Sequence, residues 1–203
     1  ENSASLGRDS IFVIEADEYD SAFFDKRSKF IHYCPTNVII NNIEFDHADI
    51  FNDLNDIKRQ FHHLIKIIKS SGNIIYFKDD NHALDVIKEG VWCNKIGINS
   101  EMIFADCNSK ELRIGNEIFS LANLPLIGEH NFKNYVCSIL AAKLEGVSEK
   151  ESIKSLQTFN GVRRRMELVT ESSKIKIYDD FAHHPTAIKL SLIHISEPTR
   201  PSQ

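Results

Sequence analysis

The stretch NVIINNIEFDHADIF, residues 37–51, changes from an apolar run to an acidic segment within a few positions. Val38, Ile39 and Ile40 form the kind of apolar run that is typical of a buried strand. Two asparagines, three carboxylates and one histidine then follow within residues 41–49. Ligands of open parallel sheets collect beyond the carboxyl ends of the strands. The stretch therefore predicts a buried strand whose end carries functional side chains.

A second apolar run, IFVIE at Ile11–Glu15, also ends in an acid and predicts another buried strand. Asp17, Glu18 and Asp20 follow it directly. If the two strands are neighbours, two acidic clusters meet at one edge of the sheet. So many carboxylates repel one another unless a cation neutralises them, and their hard oxygen atoms favour Mg²⁺ or Mn²⁺.

A plainer interpretation exists for the acids that follow the strand ending at Ile40. Asp49 or Asn52 would cap the helix that begins near Asp53, and the other acids would lie in solvent. The spacing of the residues alone leaves the metal cluster and the helix cap equally open.

The rest of the chain alternates strands with helices. Apolar residues recur at three- and four-residue steps from Leu54 to Ile68, which predicts a helix from about Asp53. Further elements are predicted at these positions: a strand at 73–77, a short helix near 83–87, strands with a hairpin turn at 115–116, a helix at 130–145, a capped helix from Ser148, and two strands between 165 and 180. This order predicts an α/β fold with a mainly parallel sheet flanked by helices.

Composition narrows the class of protein. The net charge is −5, and the only basic cluster is Arg163-Arg164-Arg165, so neither nucleic acid nor an anionic membrane is an expected partner. The four cysteines form no CxxC pair, which fits free thiols in a reducing cytoplasm. No apolar run approaches the roughly 20 residues needed to span a bilayer.

Three further segments carry candidate binding residues. GEHNFKN at 128–134 places Asn131 and Asn134 one turn apart at a helix N-terminus, where anions and nucleotides bind well; a simple asparagine cap is the alternative. GVRRRMEL at 161–168 offers guanidinium groups suited to phosphate oxygens. YDDFAHHP at 178–185 places two acids and two histidines after a strand.

In this order, EADE, NNIEFDHAD, GEHNFKN, GVRRRMEL and DDFAHHPTAI resemble the Mur ligases, the ATP-dependent amide-forming enzymes of bacterial cell-wall metabolism. The segments AFFDKRSKF, NNIEFDHADIF and RQFHHL are most similar to the branch that rejoins the recycled tripeptide L-alanyl-γ-D-glutamyl-meso-diaminopimelate to UDP-N-acetylmuramate. The branch that adds L-alanine to UDP-N-acetylmuramate is the near alternative.

The resemblance implies a mechanism in which ATP phosphorylates the muramoyl carboxylate and the amine then attacks the acyl phosphate. It implies Glu15 and His47 as holders of Mg²⁺, with Arg164 as a third catalytic residue. The nucleotide-binding residues that it implies are Asn131, Asn134, Arg164, Arg165, Asp180 and His184. Histidine is an unusual ligand for Mg²⁺, because its nitrogen is softer than the oxygen ligands that this ion prefers. The role of His47 therefore depends on the resemblance.

The chain departs from the family pattern because no GxxxxGK(S/T) phosphate loop precedes the first acidic motif. We expect residues 1–162 to form the central ATP-binding domain without that portion and 163–189 to start a C-terminal domain. Residues 190–203, beginning LSLIHISEPTR, resemble translated sequencing adapter, the alternative being a native amphipathic tail. Such a fragment would be inactive alone.

Two other classes of protein remain open. One is a metal-dependent phosphohydrolase that uses Asp46 and His47, for which His62 and His63 are the nearest further ligand candidates. The other is a non-catalytic nucleotide-binding module.

Overall fold

The computed structural model describes residues 10–48, 50–173 and 175–195, and the chain divides between residues 101 and 102 into two compact units. The predicted domain boundary between residues 162 and 163 is a different division and stays a prediction. Of the helices in the described part of the chain, none has both the length and the apolarity needed to cross a bilayer.

The first unit opens with an antiparallel hairpin, β1 (Asp20–Ala22) and β2 (Asp25–Ser28), which a short 3-10 helix at Lys29–His32 follows. Two β-α-β crossovers come next. Their elements are β3 (Asn37–Ile40), α1 (Leu54–Lys66), β4 (Asn73–Phe77), α2 (Asn81–Lys88) and β5 (Asn94–Ile98). The three strands form a parallel sheet in the order β3-β4-β5, which confirms the predicted α/β class.

The core of the first unit lies where α1 and α2 cover this sheet. Val38 and Ile40 of β3 are buried, whereas Ile39 between them is 40% exposed. Ile43 and Phe51 belong to the same buried cluster. These two side chains anchor both ends of the polar segment after β3, and they fix His47 between two points of the core.

Asp53 caps helix α1. One oxygen of its carboxylate accepts hydrogen bonds from the backbone N–H groups of Asn55 (2.8 Å) and Asp56 (3.0 Å). The sequence-based choice of Asn52 as the cap is wrong, because the side-chain amide of Asn52 donates to Asp56 instead, at 2.9 Å. Asp49, the other predicted cap, lies outside the described residues.

The segment Ile11–Glu15 is not a strand, so that prediction is wrong. It is irregular, and its four apolar side chains are between 44% and 88% exposed. A strand needs a neighbour for its backbone hydrogen bonds. Among the described strands, β3 pairs with β4 alone, and none pairs with this segment.

The second unit begins with an antiparallel meander of β6 (Ile103–Asp106), β7 (Glu111–Ile114) and β8 (Glu117–Ser120). The predicted hairpin turn is confirmed, with Gly115 at φ +58°. Helices α3 (Glu129–Leu144) and α4 (Glu149–Leu156) follow and contact each other. The predicted capping box of α4 is also present between Ser148 and Glu151.

The last described elements are a hairpin of β9 (Glu167–Glu171) and β10 (Lys176–Asp179) and the helix α5 (Pro185–Ile195). Nearly every residue of the hairpin is exposed. Helix α5 continues past residue 190, where the sequence led us to expect a foreign tail. The origin of residues 190–203 stays a prediction, and residues 196–203 lie outside the described part.

Candidate functional site

His47 lies in the irregular segment beyond the carboxyl end of β3, as the sequence predicts for a functional residue. Its Nε2 is 2.9 Å from Oε1 of Glu18 and 3.9 Å from Oδ2 of Asp46. The Tyr19 ring lies against the imidazole, with ring centroids 4.1 Å apart. Only 14% of the His47 side chain is exposed. The imidazole is therefore enclosed by an aromatic ring and two carboxylates.

The backbone of His47 adopts the left-handed conformation, with φ +57°. This region is uncommon for residues other than glycine and often marks strained positions at functional sites. Hydrogen bonds support it. The N–H group of His47 donates to Oδ1 of Asp46 at 2.7 Å, and its carbonyl accepts from the N–H groups of Ile50 and Phe51, both at 2.9 Å.

Lys29 holds the acidic segment that carries Glu18. Its Nζ is 2.9 Å from Oδ2 of Asp17, and its backbone N–H donates to the carbonyl of Tyr19 at 2.9 Å. The Asp17 carboxylate raises the pKa of Lys29, so the ammonium stays charged. Since Asp17 and Tyr19 flank Glu18, these two contacts fix the position of Glu18 beside His47.

Sequence reasoning chose Glu15 as the partner of His47, and the structure brings Glu18 there instead. Glu15 is exposed, and among the described residues the side-chain partners of His47 are Glu18, Asp46 and Tyr19. Glu18 belongs to the same acidic motif, three residues on. The acidic motif therefore supplies the carboxylate in contact with His47, and Glu15 as a holder of Mg²⁺ stays a prediction.

The side chains around His47 fit a magnesium ion of the kind found in phosphoryl-transfer sites. Mg²⁺ takes one or two protein carboxylates and completes its shell with water and phosphate oxygens. Glu18 and Asp46 supply such carboxylates. Among the described residues, no group of three or more histidine, cysteine or acidic side chains could hold a metal ion by itself.

His62 and His63 occupy α1, away from the side chains that contact His47. His62 is buried, with Nδ1 3.7 Å from Oε2 of Glu89, and its ring lies 6.1 Å from that of Trp92. Desolvation is the largest cause that lowers the pKa of His63. His62 thus contacts Glu89 and Trp92, and neither histidine is among the described side chains that contact His47.

Asn131 and Asn134 lie at the start of α3, which confirms the predicted helix. The amide of Asn131 donates to the carbonyl of Ile127 at 2.8 Å, so it helps to order the turn that leads into the helix. Asn134 is exposed, and its carbonyl accepts from the Ser138 hydroxyl at 2.8 Å. The helix begins after Gly128 at φ +98°, without a side-chain cap.

Arg164 has a left-handed backbone, φ +57°, and its side chain is 55% exposed. Its guanidinium lies over the Phe181 ring at 4.9 Å, and its Nε is 3.5 Å from Oδ2 of Asp179. Its carbonyl accepts from the N–H group of Phe181 at 2.8 Å. Arg165 is exposed. Phe181 and Asp179 are contacts that the arginine motif alone does not reveal.

Asp180 and the two histidines after it form the turn into α5. The Asp180 carboxylate accepts from the N–H of Ala182 at 2.9 Å and from the Ser191 hydroxyl at 2.7 Å, which ties the turn to the helix. Nδ1 of His183 lies 2.9 Å from the carbonyl of Phe181. The carbonyl of His184 accepts from the N–H of Ile188 within the first turn of α5.

Comparison with known proteins places these features in one family. Residues 4–142 match the Mur ligase middle domain. Over 198 residues the chain is 44% identical to UDP-N-acetylmuramate--L-alanyl-gamma-D-glutamyl-meso-2,6-diaminoheptandioate ligase of Escherichia coli, covering 95% of this chain and 43% of that protein. It is 33% identical over 197 residues to UDP-N-acetylmuramate--L-alanine ligase of Clostridium botulinum, with 92% and 41% covered.

A solved structure gives the same result. The crystal structure of a murein peptide ligase from Psychrobacter arcticus superposes with a TM-score of 0.72 at 39% identity, covering 91% of this chain and 39% of that one. The chain spans less than half the length of each of these relatives. Because the family match extends over more than half of its residues, this chain belongs to the Mur ligase family, and residues 4–142 are its middle domain.

Proposed function

We propose that this chain belongs to an ATP-dependent ligase that joins L-alanyl-γ-D-glutamyl-meso-diaminopimelate to UDP-N-acetylmuramate. The observation that carries the proposal is the 44% identity to the tripeptide ligase over 95% of the chain, against 33% to the L-alanine ligase. As the chain spans 43% of the tripeptide ligase, the activity, substrates and partners of the whole protein are part of the proposal.

The proposed reaction has two steps. An oxygen of the muramoyl carboxylate attacks the γ-phosphorus of ATP, and ADP leaves. The free amine of the tripeptide then attacks the acyl carbon of the acyl phosphate. The tetrahedral intermediate loses inorganic phosphate and a proton, and the amide remains. Both steps place negative charge on phosphoryl oxygens, so fixed donors and cations supply most of the catalysis.

In this proposal the first unit provides the magnesium-binding side chains. His47 and the acidic segment that contains Glu15 and Glu18 would hold Mg²⁺, which would neutralise charge on the transferring phosphoryl group. The 2.9 Å contact between His47 and Glu18 and the burial of the imidazole support this assignment. Lys29 keeps the segment in place through Asp17, and the carboxylates therefore need little reorganisation when a nucleotide arrives.

The second unit would provide the nucleotide contacts. We assign Asn131 and Asn134 to the nucleotide because they lie in the first turns of α3, where backbone N–H groups favour anions. Arg164 and Arg165 would bind phosphate oxygens, and the exposure of both guanidinium groups supports this role. Asp180 and His184 would border the nucleotide from the turn into α5.

The proposal is tested on the complete protein that contains these residues. Release of ADP is measured with UDP-N-acetylmuramate and either the tripeptide or L-alanine as the amine. We expect tripeptide-dependent turnover that exceeds the L-alanine rate at least a hundredfold, and its loss in the His47→Ala variant. The Arg163→Ala variant, with a neighbouring exposed arginine replaced, should keep the activity.

Three results would overturn the proposal in different ways. Faster turnover with L-alanine would assign the protein to the other branch of the family. Hydrolysis of phosphate esters without ATP would indicate a phosphohydrolase. ATP binding that survives both Glu18→Ala and His47→Ala, without amide formation, would indicate a nucleotide-binding module. We place the active protein in the cytoplasm, where ATP and UDP-linked sugars occur and where its free cysteines stay reduced.

A further inference from the structure

Residues 124–128, which we call the entry loop, lead into α3 without forming a helix or strand. Leu124 at the start of the loop is buried, whereas Pro125 and Ile127 are exposed. Apolar packing therefore anchors the beginning of the loop but does not fix the residues that directly precede the helix. The position of these residues depends on hydrogen bonds to two side chains of α3.

The first of these side chains is Tyr135, in the second turn of α3. Its hydroxyl oxygen accepts a hydrogen bond from the backbone N–H group of Leu126 at 2.7 Å. Tyr135 is only 4% exposed, and desolvation raises its pKa, so the hydroxyl stays neutral throughout the physiological pH range. A backbone N–H group that loses its partner away from water costs free energy. The Tyr135 hydroxyl therefore holds Leu126 to the body of the helix.

The second side chain is Asn131, one turn before Tyr135 on the same helix. Its amide donates one N–H group to the carbonyl of Ile127 at 2.8 Å. An amide has two N–H donors, so the other one stays for a ligand. Because Ile127 directly follows Leu126, the carbonyl that orients the Asn131 amide is fixed through the Tyr135 contact. The direction of the second N–H group of Asn131 thus depends on Tyr135.

Leu126 also lies against the segment that carries the arginine motif. Gly161 has φ +87°, and a Cβ atom at this position would be 3.4 Å from Cδ2 of Leu126. Arg164 follows three residues later. The residue that Tyr135 holds is therefore next to both segments that the proposed function assigns to the nucleotide, the start of α3 and the arginine motif.

We infer that Tyr135 is a positioning residue for ATP. By holding the N–H group of Leu126, it fixes the Ile127 carbonyl and so aims the Asn131 amide at the nucleotide, without touching the nucleotide itself. The inference rests on the proposed function, because it takes the start of α3 as the nucleotide site. Phenylalanine at position 135 would fill the same space but would leave the Leu126 N–H group without its acceptor.

The test measures ADP release by the complete protein that contains these residues, with each substrate varied in turn. We expect Tyr135→Phe to raise the KM for ATP about fivefold, which is the usual scale for losing one hydrogen bond. The KM values for UDP-N-acetylmuramate and the tripeptide should stay unchanged. A merely structural role would instead lower kcat through the fraction of folded protein and leave the KM for ATP as it is.

The matched control is Tyr76→Phe, because Tyr76 in β4 is also a buried tyrosine, 7% exposed, but lies in the first unit. It should leave the KM for ATP unchanged. A double variant tests the route through Asn131. If Tyr135 acts by orienting that amide, Tyr135→Phe should have no further effect on the KM for ATP once Asn131→Ala is present. Additive effects of the two substitutions would overturn the inference.

Hydrogen exchange of the unsubstituted protein tests the same contact without a variant, in case Tyr135→Phe fails to fold. The Leu126 amide should exchange slowly, and ATP should slow it further; exchange that ATP does not change would overturn the inference. Tripeptide ligation with an unchanged KM for ATP in Tyr135→Phe would overturn it and leave the proposed function intact. If the protein ligates no tripeptide, the proposed function fails, and calorimetric titration of ATP into Tyr135→Phe and Tyr76→Phe still decides whether Tyr135 positions the nucleotide.

Discussion

The imidazole of His47 and the carboxylate of Glu18 lie 2.9 Å apart, although the whole β1–β2 hairpin separates them along the chain. The contact forms because Lys29 holds Asp17 and Tyr19, the two neighbours of Glu18, while Ile43 and Phe51 anchor the segment around His47. Two independently fixed segments thus meet at one point beyond the end of β3.

The first prediction concerns which acid serves the metal. We expect Glu18→Gln to raise the Mg²⁺ concentration needed for half-maximal ATP binding about tenfold, because it removes the carboxylate in contact with His47. Glu15→Gln, at an exposed position, should raise it less. ATP titrations at several Mg²⁺ concentrations measure both effects. The opposite ranking would return the metal-binding role to Glu15.

The second prediction concerns Lys29 as a positioning residue. Lys29→Met keeps the apolar stem but loses the ion pair with Asp17, and we expect Mg²⁺-dependent ATP binding to weaken several-fold because Glu18 is no longer held. The free energy of unfolding should change little, because exposed ion pairs contribute little to stability. Lys69→Met, at an exposed lysine of the loop after α1, serves as the control. Equal binding by both variants would contradict the role.

The third prediction is a pH dependence that involves the contact of Lys58 in α1 with Asp85 in α2, at 2.7 Å. The hydrogen bond from Lys58 holds the pKa of Asp85 below its usual value. The stabilisation is therefore complete above the unfolded-state pKa, about 4, and it disappears as the pH falls through the lower folded-state value.

Urea unfolding at pH 7 and at pH 3 measures this effect. The difference in unfolding free energy between the parent chain and Lys58→Met should shrink at the lower pH. Lys88→Met is the control, because Lys88 is 73% exposed and lies 4.0 Å from the same carboxylate. Its difference from the parent chain should be small at both values. A difference for Lys58→Met that grows on acidification would contradict the prediction.

The fourth prediction concerns the buried thiol of Cys137 in α3. Desolvation raises its pKa from 9 to about 12. Above pH 9 the unfolded chain loses this proton and the folded chain keeps it, so stability should fall by up to about 1.4 kcal/mol per pH unit. Unfolding measured between pH 8 and pH 10.5 should show this slope, and Cys137→Ala should reduce it. The exposed Cys34 offers the control, since Cys34→Ala should leave the slope unchanged.

The spacing of apolar residues was sufficient to predict an element wherever that element buries one continuous face. The spacing of apolar residues after Asp53 predicted α1, and the Ser148–Glu151 pair predicted the start of α4. These signals are local, since a helix closes its hydrogen bonds within itself and its cap lies within four residues. The Gly115-Asn116 turn was predicted for the same reason.

Two strand assignments failed because they depended on a partner strand elsewhere in the chain. The apolar run at Ile11–Glu15 has the composition of a buried strand, but no described strand pairs with it. The weakly apolar strand β5 was not predicted, and it forms because β4 offers a complete parallel edge. A strand forms only beside a neighbouring strand, and its own sequence does not specify which strand that is.

Residue order alone was enough to establish the α/β class, most of the helices, the acidic end of β3 and, through an ordered set of motifs, the family. Three-dimensional packing was needed to show that Glu18 rather than Glu15 meets His47, that Asp53 caps α1, and that the Tyr135 hydroxyl holds Leu126. The difference arises because spacing along the chain sets the local hydrogen bonds of helices and turns. The contacts of a loop side chain depend instead on where separate parts of the core anchor each end of that loop.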